Sequence, residues 1–232
     1  MTEQARRATC VIPQAVSFCR HMDKARQSII AACSRAWERG LLSGFNGNVS
    51  LRLGEECLVT CSGAAKGYLR AEEIVAVRLA DGAPFCRDAP PRRPSSELGM
   101  HLALYRTRLD IAAIVHTHPS RLLALSLRVA EQDFLRLPLF EAETLRAGLA
   151  FVPALPPGTD ELALAAAGAA APPEIRAVWM QGHGLVCLGG TLTQALALAE
   201  ELEHLAVVQI LGCISPEIHG RVISANPFLL RK

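Results

Sequence analysis

Apolar residues at four-residue intervals open the chain: Ala25, Ile29, Cys33 and Trp37 recur at i, i+4 within residues 13 to 39, and Gly40 follows Arg39. That pattern predicts an amphipathic helix stopped by glycine. The period then shortens. Asn48 to Leu53, Cys57 to Thr60 and Ile74 to Leu79 are short and rich in β formers, separated by Gly54-Glu55 and closed by Asp81-Gly82, as expected of antiparallel hairpin strands. Ser95 and Ser96 can cap a helix whose buried face is Leu98, Leu102 and Tyr105, and the apolar run Ile111 to Val115 predicts a buried strand. Pro119 suits the first turn of a further helix.

A loop rich in Pro and Gly, Pro153 to Gly158, leads into an Ala-rich helix from Asp160 to about Ala170, which Pro172 and Pro173 end. Strands are predicted at Ala177 to Met180 and Val186 to Leu188, and a long helix from Thr193 to Leu211 turns Leu198, Leu202, Leu205 and Val208 to the core. No period of 20 to 50 residues is present, which excludes solenoids and propellers. Helices at both ends around mostly hairpin-linked strands predict an α/β fold, a layered αβα sandwich with a central, mainly antiparallel β-sheet. At 232 residues the chain is expected to form one domain, 1–232.

Composition narrows the class of partner. With 24 Lys and Arg against 22 Asp and Glu, the net charge of +2 is too small for a polyanionic polymer, and 5% aromatics leave few platforms for stacking bases. No nucleic acid is therefore expected. The local basic cluster Arg87 to Arg93, set among Pro90, Pro91 and Pro94, is a solvated loop or a phosphate-attracting rim. Eight cysteines without a C-x-x-C pair lie in apolar periodic segments, as buried thiols of a reducing compartment would. Met1 to Arg7 lead into no apolar signal core, and the uncharged stretch 177 to 199 is broken by glycines and polar residues. A cytoplasmic location with no membrane span is expected.

The chemistry concentrates in a few short motifs. Val115-His116-Thr117-His118 puts two imidazoles on one side of a strand end, about 6–7 Å apart at Cα. A lone H-x-H also arises by chance, but His183 between Gly182 and Gly184 adds a third imidazole at a turn where small neighbours permit close approach. Three neutral imidazoles leave coordination positions open on Zn²⁺ or a similar divalent ion, which is the pattern of a catalytic site. Glu97 at a helix start is either ordinary helix-start charge or a carboxylate aimed into a cleft. His101 reads as a packing or hydrogen-bonding residue, and His204 as a partner of Glu200 on a solvated face. Ser43 to Asn48, Thr60 to Gly63 and Ser95-Ser96 are small-residue segments at element ends that can present N–H and hydroxyl groups to a phosphate.

Together these residues resemble the class II aldolase/adducin family over roughly residues 20 to 212. The resemblance rests on Gly47-Asn48-Val49-Ser50, Thr60-Cys61-Ser62-Gly63, Pro94-Ser95-Ser96-Glu97, Val115-His116-Thr117-His118, Gly182-His183-Gly184-Leu185 and Glu201-Leu202-Glu203-His204-Leu205. It implies a metal, zinc or similar, on His116, His118 and His183, with Glu97 as the proton-transferring carboxylate. It further implies that Asn48, Ser62, Gly63, Ser95 and Ser96 hold the phosphate of a small sugar, and that the enzyme is a homotetramer. The implied reaction is cleavage of a C–C bond in a ketose 1-phosphate. The family's aldolases usually carry a Tyr in the segment that is here Leu137 to Ala142, and another near the C-terminus. This chain has only Tyr68 and Tyr105, and Glu141 is the expected substitute. Ser62 to Gly67 and Glu141 also resemble the methylthioribulose-phosphate dehydratases of the superfamily, which expel a hydroxyl instead. A 4-epimerase or a non-catalytic adducin-like module are further members; here the three histidines and Glu97 are all present.

Overall fold

In a computed structural model, residues 13–84 and 92–213 are described, with backbone alone at 13–19 and 213. Helix α1 (Pro13–Glu38) is followed by strands β1 (Asn48–Leu53), β2 (Glu56–Thr60) and β3 (Ile74–Arg78). Helix α2 (Leu98–Thr107), strand β4 (Ala113–Thr117) and helix α3 (Ser120–Ser126) come next. Helix α4 (Phe140–Ala147), β5 (Leu149–Val152), α5 (Asp160–Ala169), β6 (Ala177–Met180), β7 (Gly184–Gly189) and α6 (Leu192–Cys213) complete the order.

The seven strands form one sheet in the order β3-β2-β1-β4-β7-β6-β5. Strict alternation assigns each side chain to a face. Val49, Leu58, Ala76, Val115, Trp179 and Cys187 join the core under α1, α3, α4 and α6, whereas Cys57, Val59, Val77, Ile114, Val178 and Val186 join a second core under α2 and α5. Helices thus cover both faces. That is why the central strands are apolar at nearly every position although their pairing is mostly antiparallel.

The sheet is mainly antiparallel, as the sequence predicts, with one parallel pair, β5 and β6, joined by α5 as the crossover. Two features differ from the sequence reading. Helix α4 and strand β5 were not expected: the eight-residue helix and four-residue strand are too short to display a period. Leu149–Val152 becomes a strand because β6 offers it an edge. Finally, the cap of α2 is Glu97 rather than a serine; Ser95 instead accepts the Glu97 N–H through Oγ at 3.2 Å.

Cys33, Cys57, Cys61 and Cys187 are free and buried, as expected; the other four cysteine side chains lie outside the described residues. So does Arg87, while Arg92 of the same basic cluster lies 3.6 Å from Glu73. Among the described residues no helix is long and apolar enough to cross a membrane.

One buried cation ties the α2 and α5 layer to the loop before β6. The Arg108 guanidinium donates to the carbonyls of Ala170, Pro172, Pro173 and Ile175 and pairs with both oxygens of Asp110. Arg108→Ala strands the buried Ala170 carbonyl and the part-buried acceptors around it and is expected to destabilise the fold by about 2 kcal/mol. A lowered urea midpoint at unchanged slope would show it.

Candidate metal centre and proton-transfer site

Antiparallel pairing collects the start of β1, the end of β2, the end of β4 and the start of β7 at one edge of the sheet. Asn48 stands opposite His116, which in turn stands opposite Val186, and Thr117 stands opposite Leu185. The turn between β6 and β7 therefore delivers His183 beside His116 and His118. Gly47 makes the first of these approaches possible. Its φ is +67°, and a Cβ there would lie 2.6 Å from the His116 carbonyl oxygen.

Each of the three imidazoles offers one nitrogen, and these atoms lie within 4.8 Å of one another. Nε2 of His116 and Nε2 of His118 are 3.0 Å apart. Two ligand nitrogens on a tetrahedral zinc, at about 2.0–2.1 Å from the ion, would be about 3.3 Å apart. His116 Nδ1 donates to the Leu185 carbonyl at 3.0 Å, which leaves the lone pair on Nε2 facing the cluster. Burial, then the nearby His116 and His183, lowers His118 to about 3, and burial first, then His116, also lowers His183. Neutral imidazoles are the ligating form. The donor set fits a divalent transition metal.

Glu97 faces this cluster. It is 7% exposed, with Oε2 3.1 Å from His116 Nε2 and Oε1 3.2 Å from His183 Nε2. Burial works to raise its carboxyl, but the neighbouring His116 and His183 imidazoles and the Asn48 amide outweigh it. The result is a carboxyl held well below the usual range. Asn48 Nδ2 donates to Oε2 at 2.7 Å, whereas Oε1 is buried without a hydrogen-bond partner.

The other expected residues lie at the same edge. An isolated bridge joins Cys61 to Pro94, Ser62 N–H donates to the Arg93 carbonyl and Ser95 N–H to the Thr60 carbonyl. Ser62, Gly63, Ser95 and Ser96 are thereby tied into neighbouring loops next to Glu97. Glu141 is not brought there: it lies on α4 in a groove of about 650 Å³ with Arg39, Glu200, Glu201 and His204, and none of the three clustered histidines lines that groove. Neither tyrosine makes a contact with the clustered histidines. Tyr68 packs against Trp37, and Tyr105 is buried against Ser50 and the Ala112 carbonyl.

A motif-by-motif reading passed over two buried groups. Lys66 is 3% exposed and donates to the Phe45 carbonyl at 3.0 Å, pinning the loop before Gly47. Ser50 contacts both His101 and Tyr105. A signal for Ser50 existed in its position two residues after Asn48, on the same strand face.

Residues 27–210 match the family model described as Class II Aldolase and Adducin N-terminal domain. The chain belongs to the class II aldolase and adducin family. It is 33% identical to an L-fuculose phosphate aldolase of Methanococcus vannielii over 180 residues, covering 78% of this chain and 92% of that protein. It is likewise 33% identical to a methylthioribulose-1-phosphate dehydratase of Yersinia enterocolitica over 209 residues, 86% of this chain and 93% of that one. A probable bifunctional methylthioribose-1-phosphate isomerase/methylthioribulose-1-phosphate dehydratase of Nocardia farcinica is 35% identical over 189 residues, 75% of this chain; the match spans only 33% of that longer protein. Among solved structures, YgbL of Klebsiella pneumoniae, a putative aldolase/epimerase/decarboxylase, superposes with a TM-score of 0.72 at 31% identity. That match covers 82% of this chain and 90% of that one. The family is therefore secure, while relatives with two different reactions resemble this member to the same degree.

Two measurements probe the centre. A Cβ at Gly184 would lie 2.5 Å from the Thr117 carbonyl oxygen and 3.1–3.2 Å from ring carbons of His118 and His116. Gly184→Ala is accordingly expected to weaken metal binding at least tenfold, by titration with Zn²⁺ and a competing chelator. The second concerns pH. Burial, and after it the His116 charge, pushes His101 down to about 3, against about 6.5 when unfolded. Between those values the unfolded chain binds a proton that the folded chain does not. Stability is thus complete above pH 6.5 and declines as pH falls, by up to about 1.4 kcal/mol per unit from this group. Chelator-treated protein should show a urea midpoint that falls from pH 7 to pH 4, and His101→Gln should flatten that slope.

Proposed function

We propose that this enzyme is a metal-dependent lyase that cleaves a C–C bond of a small ketose 1-phosphate. The observation that carries the reading is the Glu97 carboxylate, buried against His116 and His183 with Oε2 held by Asn48 and Oε1, 3.2 Å from His183 Nε2, without a hydrogen-bond partner. A buried anion with one oxygen free of hydrogen bonds beside three convergent imidazoles is arranged to move a proton next to a polarised carbonyl.

In this reading His116, His118 and His183 hold Zn²⁺ or another divalent transition metal. That ion supplies Lewis acidity toward the substrate carbonyl. Ser62, Gly63, Ser95 and Ser96 receive the phosphate, together with the second amide hydrogen of Asn48; its first is committed to Glu97. Phosphate held by these loops places the adjacent ketose carbons over Glu97. As the C–C bond opens, Glu97 Oε1 takes up the proton of the hydroxyl whose carbon becomes the aldehyde, the electron pair remains on the carbon next to the carbonyl, and Glu97 returns that proton to this carbon.

A second reading is favoured by specific observations. Tyr105 is buried in hydrogen bonds away from the histidines, Tyr68 packs its ring on Trp37, and the resemblance to the dehydratases places a glutamate near the position of Glu141. A methylthioribulose-phosphate dehydratase-like C–O lyase on the same metal would remove the proton beside the carbonyl and expel a hydroxyl. Glu141, outside the histidine cluster of its own chain, would then act as its acid or base only across a subunit boundary, in the homotetramer that the family resemblance implies.

A panel of ketose 1-phosphates separates the two. Release of dihydroxyacetone phosphate supports the aldolase, and a dehydrated diketo phosphate with no C–C cleavage supports the dehydratase. Glu97→Gln is expected to retain metal and lose at least a hundredfold in kcat. His116→Ala should lose the metal itself, and an unaltered rate in Glu97→Gln would remove Glu97 from the mechanism.

A further inference from the structure

A line of buried polar groups runs from Glu97 into the core between the sheet and α2. Asn48 Nδ2 lies 2.7 Å from Glu97 Oε2, and Asn48 Oδ1 lies 2.5 Å from His101 Nε2. His101 Nδ1 lies 2.7 Å from Ser50 Oγ, which lies 2.8 Å from the Tyr105 hydroxyl. The Tyr105 hydroxyl is also 3.2 Å from the Ala112 carbonyl. His101 and Ser50 are fully buried and Tyr105 is 1% exposed.

The proton positions along this line follow from donor counting. An ionised carboxylate only accepts, so the Asn48 NH₂ group faces Glu97 and its oxygen faces His101. His101 must then donate from Nε2. A neutral imidazole with its proton on Nε2 has a bare Nδ1, which accepts the single proton of Ser50. With that proton committed, the Ser50 oxygen accepts from Tyr105, whose one hydroxyl proton is shared between Ser50 Oγ at 2.8 Å and the Ala112 carbonyl at 3.2 Å. From Ser50 onward each donor points toward Glu97, and reversing any one of those bonds around a neutral His101 would set two lone pairs or two protons against each other.

We propose that Tyr105, Ser50 and His101 are positioning residues that lock the Asn48 amide in one orientation. They thereby fix Oε2 of Glu97 as the anchored oxygen and leave Oε1 as the oxygen that carries the proton. This rests on the reading of Glu97 as proton carrier. None of the three touches the convergent histidine nitrogens through a hydrogen bond. Their effect passes through Asn48, so they should govern turnover and the Asn48 share of phosphate binding while leaving metal binding unchanged. Without the Nε2 donor the Asn48 amide can flip, presenting its oxygen to the carboxylate. Glu97 then loses its anchor and either oxygen can turn to the substrate.

The direct test is the His101 tautomer in full-length, zinc-loaded protein. Long-range ¹H–¹⁵N spectra of histidine-labelled enzyme at pH 7, assigned with the His101→Gln variant, should show His101 neutral with its proton on Nε2. A proton on Nδ1, or an imidazolium, overturns the proposal. Ser50→Ala, which removes a small hydroxyl and is the variant least apt to unfold, should give a mixture of tautomers; an unchanged tautomer overturns the relay beyond His101.

Kinetics supply the second arm. His101→Leu is expected to lower kcat tenfold to a hundredfold with zinc content unchanged. His101→Gln, whose amide can donate from the same position, should recover most of that loss. Equal loss in both variants overturns the positioning role. Failure of the function reading is separate: a ketose phosphate panel without turnover, or an active Glu97→Gln, sinks that reading while the spectrum still decides the tautomer.

Discussion

A carboxylate removed from water needs compensation of several kcal/mol, and most of this site can be understood as the supply of it to Glu97. Two imidazoles stand within 3.2 Å of its oxygens and one amide donates to it. These groups come from three separate elements, the start of β1, the end of β4 and the turn before β7. They meet only because antiparallel pairing aligns Asn48 with His116 and Thr117 with Leu185. A slip of one residue between β1 and β4 would turn Asn48 away from α2 and leave the charge without its donor. The register of the sheet and the electrostatics of the site are one constraint.

The same constraint shapes the layer above the sheet. Because α2 begins at Glu97, residues one and two turns later, His101 and Tyr105, fall on the face that meets β1. Asn48 and Ser50 answer them at a period of two. A helix period of four and a strand period of two thus interlock into a single polar seam within an otherwise apolar second core. Such a seam is tolerable in the interior because each donor has an acceptor. Only Glu97 Oε1 is left open along it, at the end that faces the histidines.

The family relationship and the geometry limit the chemistry in complementary ways. Three convergent imidazoles with a buried carboxylate serve any reaction that shuttles a proton beside a carbonyl. Relatives at 33% identity include both an aldolase and a dehydratase. What separates such reactions is the group that handles the departing oxygen. In this chain Tyr105 is held in the core by Ser50, Tyr68 packs against Trp37, and Glu141 faces a groove between α4 and α6.

Much of this was legible before any coordinates. The strands Asn48–Leu53 and Ala177–Met180, the helix from Asp160 and the long helix near the C-terminus follow from periodicity and from the Gly and Pro residues that bound them. The clustered histidines follow from an H-x-H motif and a glycine-flanked third. Periodicity is local, and so it reports elements and faces. It could not reveal the parallel β5–β6 pair, because Leu149–Val152 has four residues and owes its conformation to a neighbouring strand 28 positions away in register. Nor could it separate Glu97 from an ordinary helix-start acid, or join His101 to Ser50. Those relations depend on which residues are brought face to face across the sheet and α2. Hydrogen-bond partners far apart in the chain are chosen by strand register and helix docking, and only the tertiary structure decides them.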